Sequence, residues 1–394
     1  MRIPPTTFPF RFNQYLFVLA LAVIRLLATE RCVADDTLVV EPGLAYQAER
    51  SSPVVYDIEL KVVVTAPYKS KQLRVWVPLP TTDVGQEVLD SQLTTFPEDL
   101  TPQIESEPVF GNRFAYWEFN NPQGAIIVAH RLKIRVWELH WSLKPDLIRR
   151  LEKWPDVFEP YLNNERQAVQ FDDRFRKLLG ELVPKPTNPL DDLQVVIGYA
   201  FANFRYDHVN ASLQASSLHA MEQNCGHCSD YHGFCAAMGR LMQVPTRITY
   251  GINTFAKASP SHCKLEAFLA PVGWISFDVS ETQKLVSLIR QSPHLNDTMK
   301  AKLVASATKR LASGFRDNTW FLQTRGTDYE LSPPASRRVA VVRTIYAEAD
   351  GVALKEPDPS NKEQSEFAWM TAIRFSADRS VAYPFTDFSS LQRN

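Results

Sequence analysis

No excess of charge, no long apolar run and no dispersed set of cysteines marks this chain, and each absence removes a class of protein. With 43 basic and 44 acidic residues the formal charge is −1. No global field therefore favours nucleic acid or an anionic bilayer, and partners must be recognised locally. The apolar run at 16–24 is about half of the roughly 20 residues that span a bilayer, and it ends at Arg25, which argues against a permanent transmembrane helix. Only five cysteines occur in 394 residues, and Cys225, Cys228, Cys235 and Cys263 fall close together. A disulfide framework spreads its cysteines to tie distant loops, so this clustering favours chemistry over stapling. No internal repeat runs at solenoid or propeller periods.

Hydrophobic content of 45% and charged content of 22% are those of a globular protein, and the length implies two domains with a further appended piece. Arg2 and Arg11 precede the apolar run, and Cys32-Val33-Ala34 supplies small residues before Asp35-Asp36. Residues 1–34 thus read as a signal peptide, with export to a periplasm or the extracellular space and no stable membrane span after cleavage. From Val54 onward Tyr56, Ile58, Leu60, Val62 and Val64 alternate with Asp57, Glu59 and Lys61, the period of a half-buried strand. The same alternation recurs at Leu73, Val75 and Val77, and at Leu132, Ile134 and Val136, so residues 45–145 read as an all-β domain.

Helical patterns follow, with Leu147, Leu151 and Trp154 on one face and Val195, Tyr199 and Phe204 later, separated by Pro184, Pro186 and Pro189. Residues 146–285 are the expected core. Residues 286–394 are expected as a helical and strand extension, with an amphipathic helix across 281–311 broken at Ser292-Pro293 and strands at 339–346 and 367–375.

The chemistry-bearing segment is Gly226-His227-Cys228-Ser229-Asp230, followed by Phe234, Met238 and Leu241 at helical spacing. Cys228 is therefore expected at a helix N-terminus, where unpaired N–H groups and the positive dipole end favour a thiolate. Period two puts His262, Lys264 and Glu266 on one side of the next strand, and Trp274, Ser276 and Asp278 on one face of the strand after it. If a turn at 269–273 joins these strands as a hairpin, Asp278 reaches His262 and orients its ring toward Cys228.

These blocks, Gly226-His227-Cys228-Ser229-Asp230-Tyr231, Val244-Pro245-Thr246-Arg247, His262-Cys263-Lys264-Leu265-Glu266 and Gly273-Trp274-Ile275-Ser276-Phe277-Asp278, resemble the transglutaminase-like superfamily. The resemblance spans roughly residues 190–282 and implies an α+β fold, a papain-like core of helices against an antiparallel sheet, preceded by an all-β domain. It implies Cys228 as nucleophile, His262 as general base and acid, and Asp278 as the group that orients the histidine. The implied activity is thioester-forming attack on peptide or protein amides, ending in hydrolysis or acyl transfer and needing no cofactor or metal. The family often has Trp where Lys264 stands, so the sequence loses an aromatic wall and gains a cation near His262. Tyr206 is a candidate to hold an oxyanion beside the backbone N–H of Cys228.

Three rivals keep a physical basis. Cys225-Gly226-His227-Cys228 spells a dithiol used in disulfide exchange, but a helix-like stretch rather than a buried strand precedes it. A zinc site recruiting Cys225, Cys228, His232, Cys235 or His262 leaves the later aspartate block unexplained, and no second Cys-x-x-Cys occurs. The third is a secreted binding scaffold whose chemistry has faded.

Overall fold

Tight alternation along the first strand decides how the chain is layered. The computed structural model describes residues 40–256, 260–356 and 369–392, so the signal-peptide expectation at 1–34, Cys32 included, lies outside the described residues. In chain order come β1 (Glu49–Thr65), β2 (Gln72–Leu79), β3 (Gln86–Phe96), β4 (Gln103–Ser106), β5 (Arg113–Asn120) and β6 (Ala125–His140). Helices α1 (Asp173–Leu182) and α2 (Pro189–Asn203), the short strand β7 (Arg205–Tyr206), α3 (Ser217–Gln223), β8 (Cys225–Gly226) and α4 (Cys228–Leu241) follow. Strands β9 (Thr246–Asn253), β10 (Ser261–Leu269) and β11 (Gly273–Phe277) lead to α5 (Val279–Gln291) and α6 (Asp297–Ser313). The described chain then gives β12 (Phe315–Arg316), β13 (Trp320–Arg325), β14 (Tyr346–Ala349), β15 (Val352–Ala353) and β16 (Trp369–Ala377).

One sheet runs β12-β6-β1-β16 with β3 also on β6, and a second runs β15-β14-β2-β5-β4. Leu60, Val62 and Val64 of β1 meet Leu73, Val75 and Val77 of β2 and Trp117 and Phe119 of β5 in one apolar cluster. The alternating faces of the two sheets thus close on each other as a sandwich. The third sheet, β11-β10-β9-β13, is antiparallel throughout. It shares a core with α1, α2 and α4, where Phe175, Leu193, Phe234 and Met238 pack with Ile248, Leu265 and Ile275. This is the expected α+β arrangement of helices against an antiparallel sheet, preceded by an all-β region.

Two local expectations changed. The helical face at Leu147, Leu151 and Trp154 is instead 3₁₀ turns at Pro145–Leu147 and Asp156–Tyr161 with irregular chain between them. Pro145, Pro155 and Pro160 explain this, because each removes a backbone donor and tight turns tolerate the loss better than an α-helix. Trp154 still reaches the core, tilted against Phe158 and edge-on to Phe268. The strand expected at 339–346 reduces to β14 and an isolated Tyr329–Val339 bridge. The segment 286–394 contributes α6 and adds strands to these three sheets, the small β7-β8 pair standing apart, so β1 pairs with β16 in the register Leu60↔Ile373.

Candidate active site

The turn before α4 is built to hold one side chain at its first residue. His227 is the N-cap, its ring accepting from the Ser229 N–H, while the Asp230 carboxylate accepts from the His227 N–H at 3.1 Å. This reciprocal capping box satisfies two of the donors a helix start leaves open. Gly226 precedes it at φ +147°, and a Cβ there would lie 2.3 Å from Asp230 Oδ2, so only glycine lets the carboxylate fold back. Cys228 opens the helix half-buried, while Cys225, Cys235 and Cys263 are buried, and all four thiols are free.

The β10–β11 hairpin brings up the other groups. Leu265 pairs with Phe277, so Asp278 emerges one step further on, opposite Lys264 and diagonal to His262. Its Oδ2 accepts from His262 Nε2 at 2.7 Å, and its Oδ1 accepts from the Glu281 N–H at 3.1 Å, capping α5. With Nε2 committed, Nδ1 is the ring nitrogen left for the Cys228 sulfur, which is near enough to favour the charged ring. The structure thus brings Cys228, His262 and Asp278 together in the order expected.

Electrostatics follow from that geometry. The Cys228 thiol is held well below its ordinary range by the hydrogen bond from Cys263, against the effect of burial, with the His262 charge and hydrogen bond adding to it. Burial alone would lower His262, but Asp278 and the Cys228 sulfur outweigh it and raise the ring to about 9. Burial would raise Asp278, yet His262 and Lys264 hold it well below the usual carboxylate range. At neutral pH these directions describe a thiolate beside an imidazolium and a carboxylate.

Several groups around this set escaped the sequence. Cys263, on the opposite side of β10 from His262, is near enough to the Cys228 sulfur to favour its thiolate. His232 Nε2 accepts from the Val279 N–H at 3.2 Å, leaving its Nδ1 3.4 Å from Cys263 Sγ. Burial pushes His232 down to about 4, so it stands there as a neutral ring. Lys264 does not line a cleft: it is buried, with Nζ 2.6 Å from Asp278 Oδ2 and 2.9 Å from Asp317 Oδ2. Its cation leaves His262 raised rather than depressed. Asp317, 39 residues beyond Asp278 by numbering, carried no periodic signal in the sequence.

Glu266 is structural, accepting from Arg247 Nε and Tyr46 Oη, both at 2.7 Å. Tyr206 is raised by burial and then by the nearby Cys228 sulfur, and the Lys284 ammonium lies 3.6 Å from its ring centroid. A groove of about 670 Å³ is lined by Tyr206 with Phe204, Arg205, Gln283, Lys284 and Arg290 among others.

A thiol at a helix start, a histidine on the neighbouring strand and a carboxylate beyond the hairpin together form the candidate catalytic set. Residues 176–279 match the family described as the transglutaminase-like superfamily, and the chain carries a domain of that family. An uncharacterized protein from Haemophilus influenzae is 22% identical over 226 residues, 51% of this chain and 58% of that protein, so this chain spans less than two thirds of that relative's length. Among solved structures, a protein described as a candidate cysteine protease from Cytophaga hutchinsonii matches with a TM-score of 0.57 at 14% identity, over 87% of this chain and 98% of that one. The periplasmic domain of TgpA from Pseudomonas aeruginosa gives a TM-score of 0.31 at 13% identity, over 63% and 97%. The first of these bears on the fold.

Proposed function

We propose that this chain is an exported cysteine enzyme that acts on peptide or protein amides through a thioester on Cys228. The observation that carries the reading is the His262–Asp278 hydrogen bond at 2.7 Å, with the Cys228 sulfur close enough to the ring for each to favour the other's charged form. The Cys228 thiolate attacks the amide carbonyl, and the C–N bond breaks as the His262 imidazolium protonates the departing nitrogen. Water or an amine then gives its proton to His262 and attacks the thioester, and the sulfur leaves as thiolate. Asp278 keeps the ring oriented and favours its charged form. N–H groups of the first turn of α4, with the Tyr206 hydroxyl, are the proposed donors to the oxyanion.

Export rests on the basic and apolar pattern at 1–34. No helix among the described residues is long and apolar enough to cross a membrane.

The deciding experiment incubates the protein with a glutamine-rich protein and a labelled amine, following label incorporation beside ammonia release and new N-termini. Incorporation identifies transfer, ammonia alone deamidation, and new N-termini a peptidase, and each signal is expected to vanish in Cys228→Ala. Activity that survives Cys228→Ala would overturn Cys228 as the nucleophile, and absence of activity with every substrate while the fold is intact would count for the faded scaffold.

A further inference from the structure

We propose that Lys264 and Asp317 are positioning residues of this site: a buried cation and a second carboxylate that fix Asp278 in place as the anion facing His262. The inference rests on the reading of Cys228, His262 and Asp278 as the catalytic set.

The geometry is specific. Two donors converge on one oxygen, Asp278 Oδ2, from His262 Nε2 at 2.7 Å and from Lys264 Nζ at 2.6 Å. The other oxygen is taken by the α5 start through Glu281 N at 3.1 Å and lies 3.5 Å from Ser280 Oγ. Asp278 thus has no rotamer freedom left, and its orientation toward the imidazole is set from three sides. Lys264 is itself held by Asp317 at 2.9 Å and lies 5.2 Å from the Trp320 ring centroid and 5.4 Å from that of Phe385. Asp317 Oδ1 is fixed in turn by the Thr319 N–H at 3.1 Å and by the Thr319 hydroxyl.

A lysine this deeply buried persists as a cation only when carboxylates surround it, and removing one member of such a cluster leaves an uncompensated charge. The other groups acting on Asp278 and Asp317 include His232 on α4, Cys263 on β10, Arg310 on α6, Tyr206 on β7, Tyr56 on β1 and Tyr383 in the C-terminal segment. His262 also meets Cys228 and stands 6.5 Å, ring to ring, from the neutral His232.

Without Lys264, Asp278 and Asp317 become two buried carboxylates facing each other across its place, and a proton taken up there deprives the imidazolium of its counter-ion. Removing Asp317 as well restores the balance, because Asp278 then faces His262 as a single carboxylate. A role in packing alone makes the opposite forecast, since the second substitution would only add damage.

The test measures the pH dependence of Cys228 alkylation by iodoacetamide in the full chain, with thermal melts to establish folding. The wild type is expected to react below the ordinary thiol range. Lys264→Met should move the thiolate limb up by about a unit, a roughly tenfold loss of rate near pH 6. Lys264→Met/Asp317→Asn should return to within about threefold of wild type. Asp317→Asn alone leaves Lys264 entirely to Asp278, and should lower the alkaline limb at which the imidazolium loses its proton. An unchanged profile in Lys264→Met, or a double variant no more reactive than the single, overturns the inference. If Lys264→Met does not fold, an unmoved alkaline limb in Asp317→Asn overturns it. A wild-type thiol that reacts only near its ordinary pKa sinks the catalytic reading itself, and this inference with it.

Discussion

Replacing Gly226 by alanine places a methyl group where the structure already has a carboxylate. The Cβ would stand 2.3 Å from Asp230 Oδ2 and 2.6 Å from Asp230 Cβ, and the backbone sits at φ +147°. The dihedral alone costs about 1–3 kcal/mol for a residue with a side chain. Asp230 would also have to withdraw from the His227 N–H at 3.1 Å, the Ser212 N–H at 3.3 Å and the Ser212 hydroxyl. Breaking a buried hydrogen bond to a charged group costs about 1.5–3 kcal/mol. Together these give about 2.5–6 kcal/mol, a large part of the roughly 5–15 kcal/mol that holds a typical domain folded.

Gly124→Ala is the matched control, since Gly124 has φ +69° with nothing within 4 Å of a built Cβ, and should cost only about 1–2 kcal/mol. Denaturant titrations of both variants read the difference as a shift in midpoint at constant slope. The collision argument fails if Gly226→Ala costs no more than Gly124→Ala.

Other outcomes follow from separate parts of the molecule. His130 is buried at the β3–β6 contact with Nε2 2.9 Å from Ser91 Oγ, and burial lowers it to about 4. The unfolded chain takes up this proton first, so stability should fall as pH drops from about 6.5 toward 4, by about 3 kcal/mol for this group. His130→Gln should lose correspondingly less stability on acidification, and an identical loss would refute the buried neutral ring. Cys225→Ser should leave Cys228 alkylation and turnover unchanged, whereas a dithiol exchange enzyme would lose activity. Tyr206→Phe should leave alkylation intact but slow turnover by roughly 100-fold, and unaltered turnover would remove Tyr206 from the oxyanion site.

Much of the site was legible because each part obeys a local rule. The apolar spacing after Asp230 put Cys228 at a helix start, and period-two counting with a turn at 269–273 put Asp278 within reach of His262. The same counting set Cys263 beside Leu265 and Ala267, where it lies, but strict alternation takes no account of how closely α4 approaches β10, which puts His232 beside it. Asp317 left no trace because its role depends on where β13 joins β9, a pairing such as Phe321↔Ile252 that no local pattern encodes. The pairing of β1 with β16 was hidden for the same reason. The stretch 145–161 misled because its apolar spacing outweighed Pro145, Pro155 and Pro160 in the reading, while in the fold those prolines prevailed.

The most direct measurement of the thiolate–imidazolium pair is the ultraviolet absorbance of thiolate against pH, taken as the difference between wild type and Cys228→Ser. Wild type should show one thiolate titrating well below the ordinary cysteine range, and His262→Ala should return it toward that range. A Cys228 signal that appears only in the ordinary range, or one indifferent to the loss of His262, would contradict the pairing on which the proposed enzyme depends.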